Sequence, residues 1–282
     1  MIEGIKITNP DKLLFSKSKI TKLDLVLYYQ QVTPRMMPYL KNRIISTIRC
    51  PDGINGTCFY KKHLNSGSKG LKRIDLPNDS GRKEDYYFIT DISGLISEVQ
   101  MNTIEFHIWG SKVKTIDKPD MIVFDLDPDE GLALKDLRQG VKDLKTILDL
   151  IPLKSFLKTS GGKGYHVVVP ITTSANWQTI RKFSKNIAQI MSERWPDKYT
   201  INVRKINRQG KIFIDWMRNI KGATSVAPYS IRAKEKGSVS MPISWDELDS
   251  ISPDDIDMEM AIKRLTIKDP WEDFFNVKQQ IN

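Results

Sequence analysis

The chain has 282 residues, enough for one large domain or two small ones. Lys and Arg number 44 against 34 Asp and Glu, so the formal net charge is +10 and the pI is near 9.4, which points to a polyanionic partner. Hydrophobic residues at 40% and charged residues at 28% fit a globular chain and exclude a disordered or collagen-like one. No apolar run approaches the ~20 residues of a membrane span, so no membrane partner is expected. Cys50 and Cys58 are too few for a disulfide framework, and MIEGIKITNPDKLLF lacks the basic-then-apolar order of a secretion signal. A reducing, cytoplasmic setting is therefore expected.

In chain order, Thr21 is a good N-cap for a first helix, with Asp24 in its first turn. Leu25, Val26, Tyr28, Tyr29 and Val32 give that helix an apolar face, and Pro34 and Pro38 should limit or bend it. A strand is expected over Ile44–Ile48, then the turn-rich CPDGINGT, then strands at Tyr86–Thr90 and Ile104–Trp109. Met121–Asp127 reads as a buried strand that Pro128 ends. A helix carrying Leu134, Leu137, Val141, Leu144 and Leu148 follows. The strand Phe156–Thr159 leads through SGGKG to Tyr165–Val169. A second long helix places Ile180, Phe183, Ile187, Ile190 and Met191 on one face. After the basic turn VRKINRQGK comes a strand over Lys211–Met217. Ser244 with Glu247 forms a capping box, and Ser252-Pro253 reads as a further helix start. Hairpins mixed with helices make α+β the expected class.

The chemistry concentrates on acidic residues. Asp125 and Asp127 lie two apart on a strand, so their side chains share a face and repel unless a cation lies between them. Hard oxygen ligands of this kind suit Mg²⁺ or Mn²⁺. A solvated strand end is the plainer reading of the pair. A calcium loop fails in detail, because Glu130 stands where glycine is needed and Asp136 where glutamate is needed. Asp215, within IFIDWM, is costly to bury without a partner, which is a basic group or a metal. Three aspartates on adjacent strands can hold two divalent ions, the arrangement used in nucleotidyl transfer.

Other groups are weaker alone. Ser160-Gly161-Gly162-Lys163-Gly164 can bring backbone N–H groups and a lysine to phosphate, or be a flexible hairpin. It is no Walker loop. His166, at the start of the strand that follows, lends that loop its specificity, whereas His107 lies on a strand, where a lone histidine is more often a satisfied core residue than a ligand. Arg204, Lys205, Arg208 and Lys211 fit nucleic-acid phosphates or a solvated turn. Phe59 and Tyr60, followed by Lys61 and Lys62, offer rings for base stacking beside cations, although adjacent aromatics on a strand more often send one ring inward.

Taken in order, VFDLDP, TSGGKGYHVVVP, KIFIDWMRN and SVAPYSIRAK resemble the polymerase domain of bacterial DNA ligase D, of the archaeo-eukaryotic primase superfamily. The likeness extends to NPDKLLF, TKLDLVLYY, RCPDGINGTCFYKKH and SWDELD, and so covers nearly the whole chain. It implies a single primase-polymerase domain over 1–282 with a primase-like fold. That fold consists of two α/β modules around a mixed or antiparallel sheet, with the active site between them. The implied activity is template-dependent addition of ribo- or deoxyribonucleotides at broken or gapped DNA ends during non-homologous end joining. On matching positions, Asp125, Asp127 and Asp215 are the catalytic metal ligands for two Mn²⁺ or Mg²⁺ ions. Ser160, Lys163, His166 and Arg232 surround the triphosphate, and His107 belongs to the same nucleotide site. Lys12 and Lys22 bind the 5′-phosphate of the downstream strand. Phe59 and Tyr60, with Lys62 beside them, meet the template; the family usually has Phe in the place of Tyr60. Arg208 helps to arrange the primer terminus. Arg218 stands where other members can carry a neutral polar residue, and its role is left open.

No ligase nucleophile motif of the K-x-D-G type is present, so a DNA ligase and a Ku-like end binder are expected as separate partners. The initial Met1 favours a stand-alone gene over an excised domain. Two rival readings remain: a replication primase small subunit, against which the lack of a Cys/His cluster counts, and a DNA-end binding module without catalysis, which has no need of three aspartates.

Overall fold

The computed structural model describes residues 1–64, 67–77 and 80–281. The chain divides into two compact units: residues 1–109, 226–239 and 257–267 form the first, and 110–225, 240–256 and 268–282 the second. Among the described residues no helix is long and apolar enough to cross a membrane.

The first unit opens with a short hairpin, β1 (Leu13–Phe15) and β2 (Ile20–Thr21), that runs into α1 (Lys22–Leu40). Thr21 caps α1 as its sequence predicts: its hydroxyl accepts the Asp24 N–H and the Asp24 carboxylate accepts the Thr21 N–H. Pro34 and Pro38 do not end the helix. Val32, Met36, Tyr39 and Leu40 are buried around both, so tertiary packing outweighs the lost backbone donors. Then come β3 (Ile45–Arg49), β4 (Phe59–Lys61), β5 (Leu71–Pro77), β6 (Lys83–Ile89), α2 (Ile92–Gln100) and β7 (Thr103–Trp109). β3 lies between β4 and β7, antiparallel to both. β5 and β6 form a separate hairpin, of which the sequence signals only the second strand. The helix α5 (Met258–Arg264) also belongs to this unit. Its N-cap is Asp257; Ser252-Pro253 forms a turn and starts no helix.

Cys50 and Cys58 are joined in a disulfide, with Cα atoms 4.3 Å apart. This bond runs against the reducing setting expected from so few cysteines. The tight PDGINGT turn, in which Gly53 has φ +79°, folds one cysteine back on the other.

The second unit is built on a six-stranded sheet. Its strands are β8 (Met121–Pro128), β9 (Phe156–Thr159), β10 (Tyr165–Pro170), β11 (Tyr199–Thr200), β12 (Ile212–Asp215) and the short Pro242–Ile243. Their order is β11, β12, β8, β10, β9, Pro242–Ile243. Only the β11–β12 pair is parallel; the others are antiparallel. α3 (Leu134–Leu150) and α4 (Trp177–Arg194) bury Leu137, Val141, Leu144 and Leu148, and Ile180, Ile187 and Met191. Ile190 is 47% exposed, so the apolar stripe of α4 is narrower than expected. The strand expected over Lys211–Met217 is shorter. The Asp215 carboxylate accepts the Met217 N–H at 3.0 Å and turns the chain into a 3-10 turn over Trp216–Asn219.

Candidate metal and nucleotide site

β8 runs apolar until its end, and its last residues carry the acids. Register decides what they meet. Asp215 of β12 lies directly opposite Asp125 on one side, and His166 of β10 lies opposite Asp125 on the other. Lys158 of β9 lies opposite His166. Directly paired residues share a face, so Lys158, His166, Asp125 and Asp215 form one charged row across four strands. Asp127, two residues on, projects on the same face. Carboxylate oxygens of Asp125, Asp127 and Asp215 lie within 4.8 Å of one another.

The electrostatics follow from crowding. Burial pushes the Asp127 carboxyl up, as do the neighbouring charges of Asp125 and Asp215, to about 6. Burial also raises Asp215, and the Asp125 charge adds to it. For Asp125 burial works in the same direction but is outweighed by His166, Arg218 and Lys158, which hold it well below the usual range. Burial and the Lys158 charge lower His166 to about 4, so it is neutral near pH 7. His166 Nε2 lies 3.3 Å from Asp125 Oδ1, while Nδ1 is buried with no hydrogen-bond partner among the described residues. Arg218 Nε lies 3.2 Å from Asp125 Oδ2 and 3.1 Å from Asp215 Oδ2. A cluster of hard oxygen donors that already attracts a guanidinium fits divalent cations well.

The glycine loop is occupied differently from the sequence reading. Ser160 Oγ accepts the N–H groups of Gly162 and Gly164, and the Gly161 N–H donates to Pro253 O. These three donors close the turn and do not form an open phosphate cradle. Gly164 is required because a Cβ there would lie 2.2 Å from Leu126 O. Lys163 is exposed and pairs with Glu130 at 2.9 Å. Arg208 sits over the Phe213 ring, 3.5 Å from its centroid, and donates to Asn202 O. Its charge reaches Asp127 and Asp215.

A second set lies within the first unit. His107 Nε2 is 2.8 Å from Glu105 Oε2, and Arg232 Nε donates to the same oxygen at 2.9 Å. Ala233 N–H donates to Glu105 Oε1 at 2.7 Å. Burial would raise Glu105, but His107 and Arg232 bring its pKa below the ordinary glutamate value. Phe59 and Tyr60 are 43% and 64% exposed, so neither ring enters the core. Tyr60 lies against the His107 ring, with centroids 6.0 Å apart. Behind this strand, Lys61 pairs with buried Glu98 at 2.6 Å, while Lys62 is exposed.

Lys12 and Lys22 are brought together by backbone pairing: the Lys22 N–H donates to Lys12 O. Lys12 is paired with Asp52 at 3.1 Å. Lys22 is buried, with Nζ donating to Gln100 O. Burial lowers the Lys22 pKa, and the charges of Lys12 and Arg49 lower it further. Three cations therefore crowd one spot.

The match to known proteins is direct. The family model "LigD, primase-polymerase domain" fits residues 21–271. The chain belongs to the LigD primase-polymerase family. Members are nucleotidyltransferases, and the acidic cluster is of the kind that such chemistry uses. The multifunctional non-homologous end joining protein LigD of Pseudomonas aeruginosa is 34% identical over 99% of this chain, which covers 34% of that protein. The bifunctional LigD of Bacillus subtilis is 28% identical over 98% of this chain and 45% of its own length. The chain thus spans less than half of these curated relatives. Among solved structures, the polymerase domain of Mycobacterium tuberculosis ligase D in complex with DNA aligns with a TM-score of 0.86 at 28% identity, over 93% of this chain and 94% of that one.

Two residues here were missed from sequence. Glu105 was hidden because EFHIW drew attention to its histidine. Lys158 was hidden inside FLKT, although strand alternation from His166 through the hairpin could have placed it on the acidic face.

Proposed function

We propose that residues 1–282 work as one primase-polymerase domain that extends a primer 3′ end at 5′-phosphorylated gaps or ends of DNA, using nucleoside triphosphates. The observation that carries this is the approach of Asp125, Asp127 and Asp215 within 4.8 Å on one face of a sheet. These three carboxylates are the ligands for two divalent ions, Mn²⁺ or Mg²⁺. When bound, such ions lower the pKa of the primer hydroxyl and offset charge on the leaving pyrophosphate.

The chain's own residues position and neutralise. His166 is assigned to the triphosphate: neutral near pH 7 and set beside Asp125, it has one N–H, which would turn from Asp125 to a phosphate oxygen once an ion takes that carboxylate. Ser160 and Lys163 are assigned to the triphosphate, with Lys163 exchanging its exposed Glu130 partner for phosphate. His107 and Arg232, both held by Glu105, are assigned to the incoming nucleotide. Phe59, Tyr60 and Lys62 are assigned to the template, Arg208 to the primer terminus, and Lys12 with Lys22 to the downstream 5′-phosphate.

The printed names of the relatives support a role in non-homologous end joining; a DNA ligase and a Ku-like end binder as partners, and a cytoplasmic location, are assigned along with that role. The test is a gapped duplex with a 5′-phosphate, a labelled primer, Mn²⁺ and each nucleotide in turn. Template-directed extension that Asp127→Asn abolishes, with DNA-end binding retained, is expected. Synthesis without a primer would support a replication primase instead, and binding without extension a non-catalytic end binder.

A further inference from the structure

Arg218 is placed with care by the same scaffold that builds the acidic cluster. The Asp215 carboxylate caps the turn Trp216–Asn219. Asn219 pins that turn to the middle of β8, accepting the Val123 N–H through Oδ1 and donating to Val123 O through Nδ2, each at 2.8 Å. Arg218, between these two anchors, turns its Nε to Asp125 Oδ2 and Asp215 Oδ2, while Nη1 reaches Thr224 O at 3.4 Å. The carboxylates it touches are 8% and 10% exposed, whereas its own side chain is 37% exposed. The guanidinium is therefore the more solvent-exposed partner of two buried carboxylates, while Asp127 stays half-buried.

This geometry has a direct cost for metal binding. Each divalent ion that enters must share Asp125 and Asp215 with a fixed positive charge, or displace it. We propose that Arg218 is a positioning residue that acts as a built-in counter-cation: it holds the Asp125 and Asp215 carboxylates together in the metal-free protein and weakens the affinity of the acidic cluster for divalent ions. The inference rests on the assignment of Asp125, Asp127 and Asp215 as metal ligands. It gives Arg218 a role that the resemblance left open. Its chemistry is that of charge competition, with no bond made or broken.

The experiment uses the full chain stripped of metal by chelation and dialysis. Mn²⁺ binding is followed by the loss of the free-ion electron paramagnetic resonance signal. The proteins are wild type, Arg218→Gln, Arg218→Met, Arg218→Lys and Asp127→Asn. Removing one nearby positive charge, partly screened by solvent, should tighten Mn²⁺ binding roughly tenfold or more in both neutral variants. Arg218→Lys, which keeps the charge, should stay within about threefold of wild type. In thermal unfolding the metal-free neutral variants should melt below wild type, and saturating Mn²⁺ should close that gap. Two neutral variants guard against one failing to fold, which circular dichroism would reveal. Neutral variants that bind Mn²⁺ no more tightly than wild type, with Asp127→Asn still impaired, would overturn the role of Arg218 alone. Tightening in Arg218→Lys equal to that in the neutral variants would also overturn it, since charge would not be the cause. If Asp127→Asn binds Mn²⁺ as wild type does, the metal assignment itself fails and the proposal with it.

Discussion

His107 and Arg232 meet on a single oxygen, Glu105 Oε2, which lies 2.8 Å from His107 Nε2 and 2.9 Å from Arg232 Nε. A carboxylate only accepts, so the imidazole nitrogen that faces it carries the proton. The orientation of both side chains therefore depends on a buried residue behind them. Glu105→Gln keeps the shape but removes the countercharge of Arg232 and offers a donor where two donors already point. The expected result is a rise in nucleotide KM that exceeds the fall in kcat, measured on saturating gapped DNA, with stability lower by about 1–3 kcal/mol. The stability difference has a pH signature. The folded pKa of Glu105 is lowered, so its contribution is present above the unfolded value of about 4.3 and is lost as pH falls through the folded value. Denaturation of wild type and variant should therefore converge in acid. Equal stability at pH 7 would refute the shared-anchor role.

Asp127 has the opposite sign. Its folded pKa is raised to about 6, so its contribution to stability is full below the unfolded value of about 3.9 and is lost as pH rises through 6. In chelator, Asp127→Asn should be more stable than wild type at pH 7.5, by roughly 1–2 kcal/mol after allowing for solvent screening. The difference should vanish near pH 4. Saturating Mn²⁺ should reverse the order, since wild type gains a ligand that the variant lacks. Melting curves at several pH values, with and without the ion, decide the matter; a constant difference across pH would rule the shift out.

The Lys12–Lys22 pair predicts recognition of a terminal phosphate. Lys22 is buried beside Lys12 and Arg49; burial and those two charges lower its pKa, and an anion beside them would offset that crowding of positive charge. A 5′-phosphate carries close to two negative charges, more than an internal diester. Wild type should prefer gapped DNA with a 5′-phosphate over the same DNA with a 5′-hydroxyl, and the preference should shrink as salt rises. Lys12→Ala/Lys22→Ala should abolish the preference while retaining the fold. A double variant that discriminates as well as wild type would move the phosphate elsewhere.

Gly164 links the hairpin to the acidic strand. A methyl group there meets Leu126 O, the residue between the two aspartates of β8. Gly164→Ala should force β10 away from β8, lowering stability by about 1–3 kcal/mol and weakening Mn²⁺ binding together. Gly131→Ala has open space around its Cβ but a φ of +89°, so it should cost less, about 1 kcal/mol, and leave Mn²⁺ affinity alone. Equal effects of the two substitutions on metal binding would show that the close approach is unimportant.

Much of this was legible in the residues. The period-2 placement of Asp125 and Asp127 gave their common face, and Thr21 as an N-cap with Asp24 in the first turn gave the start of α1. Helix ends and strand cores rest on local chemistry, which sequence records. The contacts of Arg218 were not legible, because they depend on a side chain turning the chain after Asp215. The Glu105 anchor was equally hidden, since Arg232 reaches it from a distant segment. Pro34 and Pro38 misled for a related reason: a local rule yielded to burial on either side of it. For the glycine loop the sequence left a phosphate contact and a hairpin both open, because no motif specifies the partners that its N–H groups find in Ser160 and Pro253.

The register of β8 also sets the order in which the site can come into being during synthesis. Asp125 and Asp127 leave the ribosome well before Asp215 and Arg218, and β10 supplies only His166 on the way. Until β12 docks, the two carboxylates have neither their third companion nor the guanidinium that tempers them. A nascent or truncated chain ending before Ile212 is thus an open acidic edge, with β8 lacking a neighbour on that side. Docking of one four-residue strand covers that edge of β8 and brings in the third carboxylate and the guanidinium in a single event, while the far edge of the sheet still waits for Pro242–Ile243 to pair with β9.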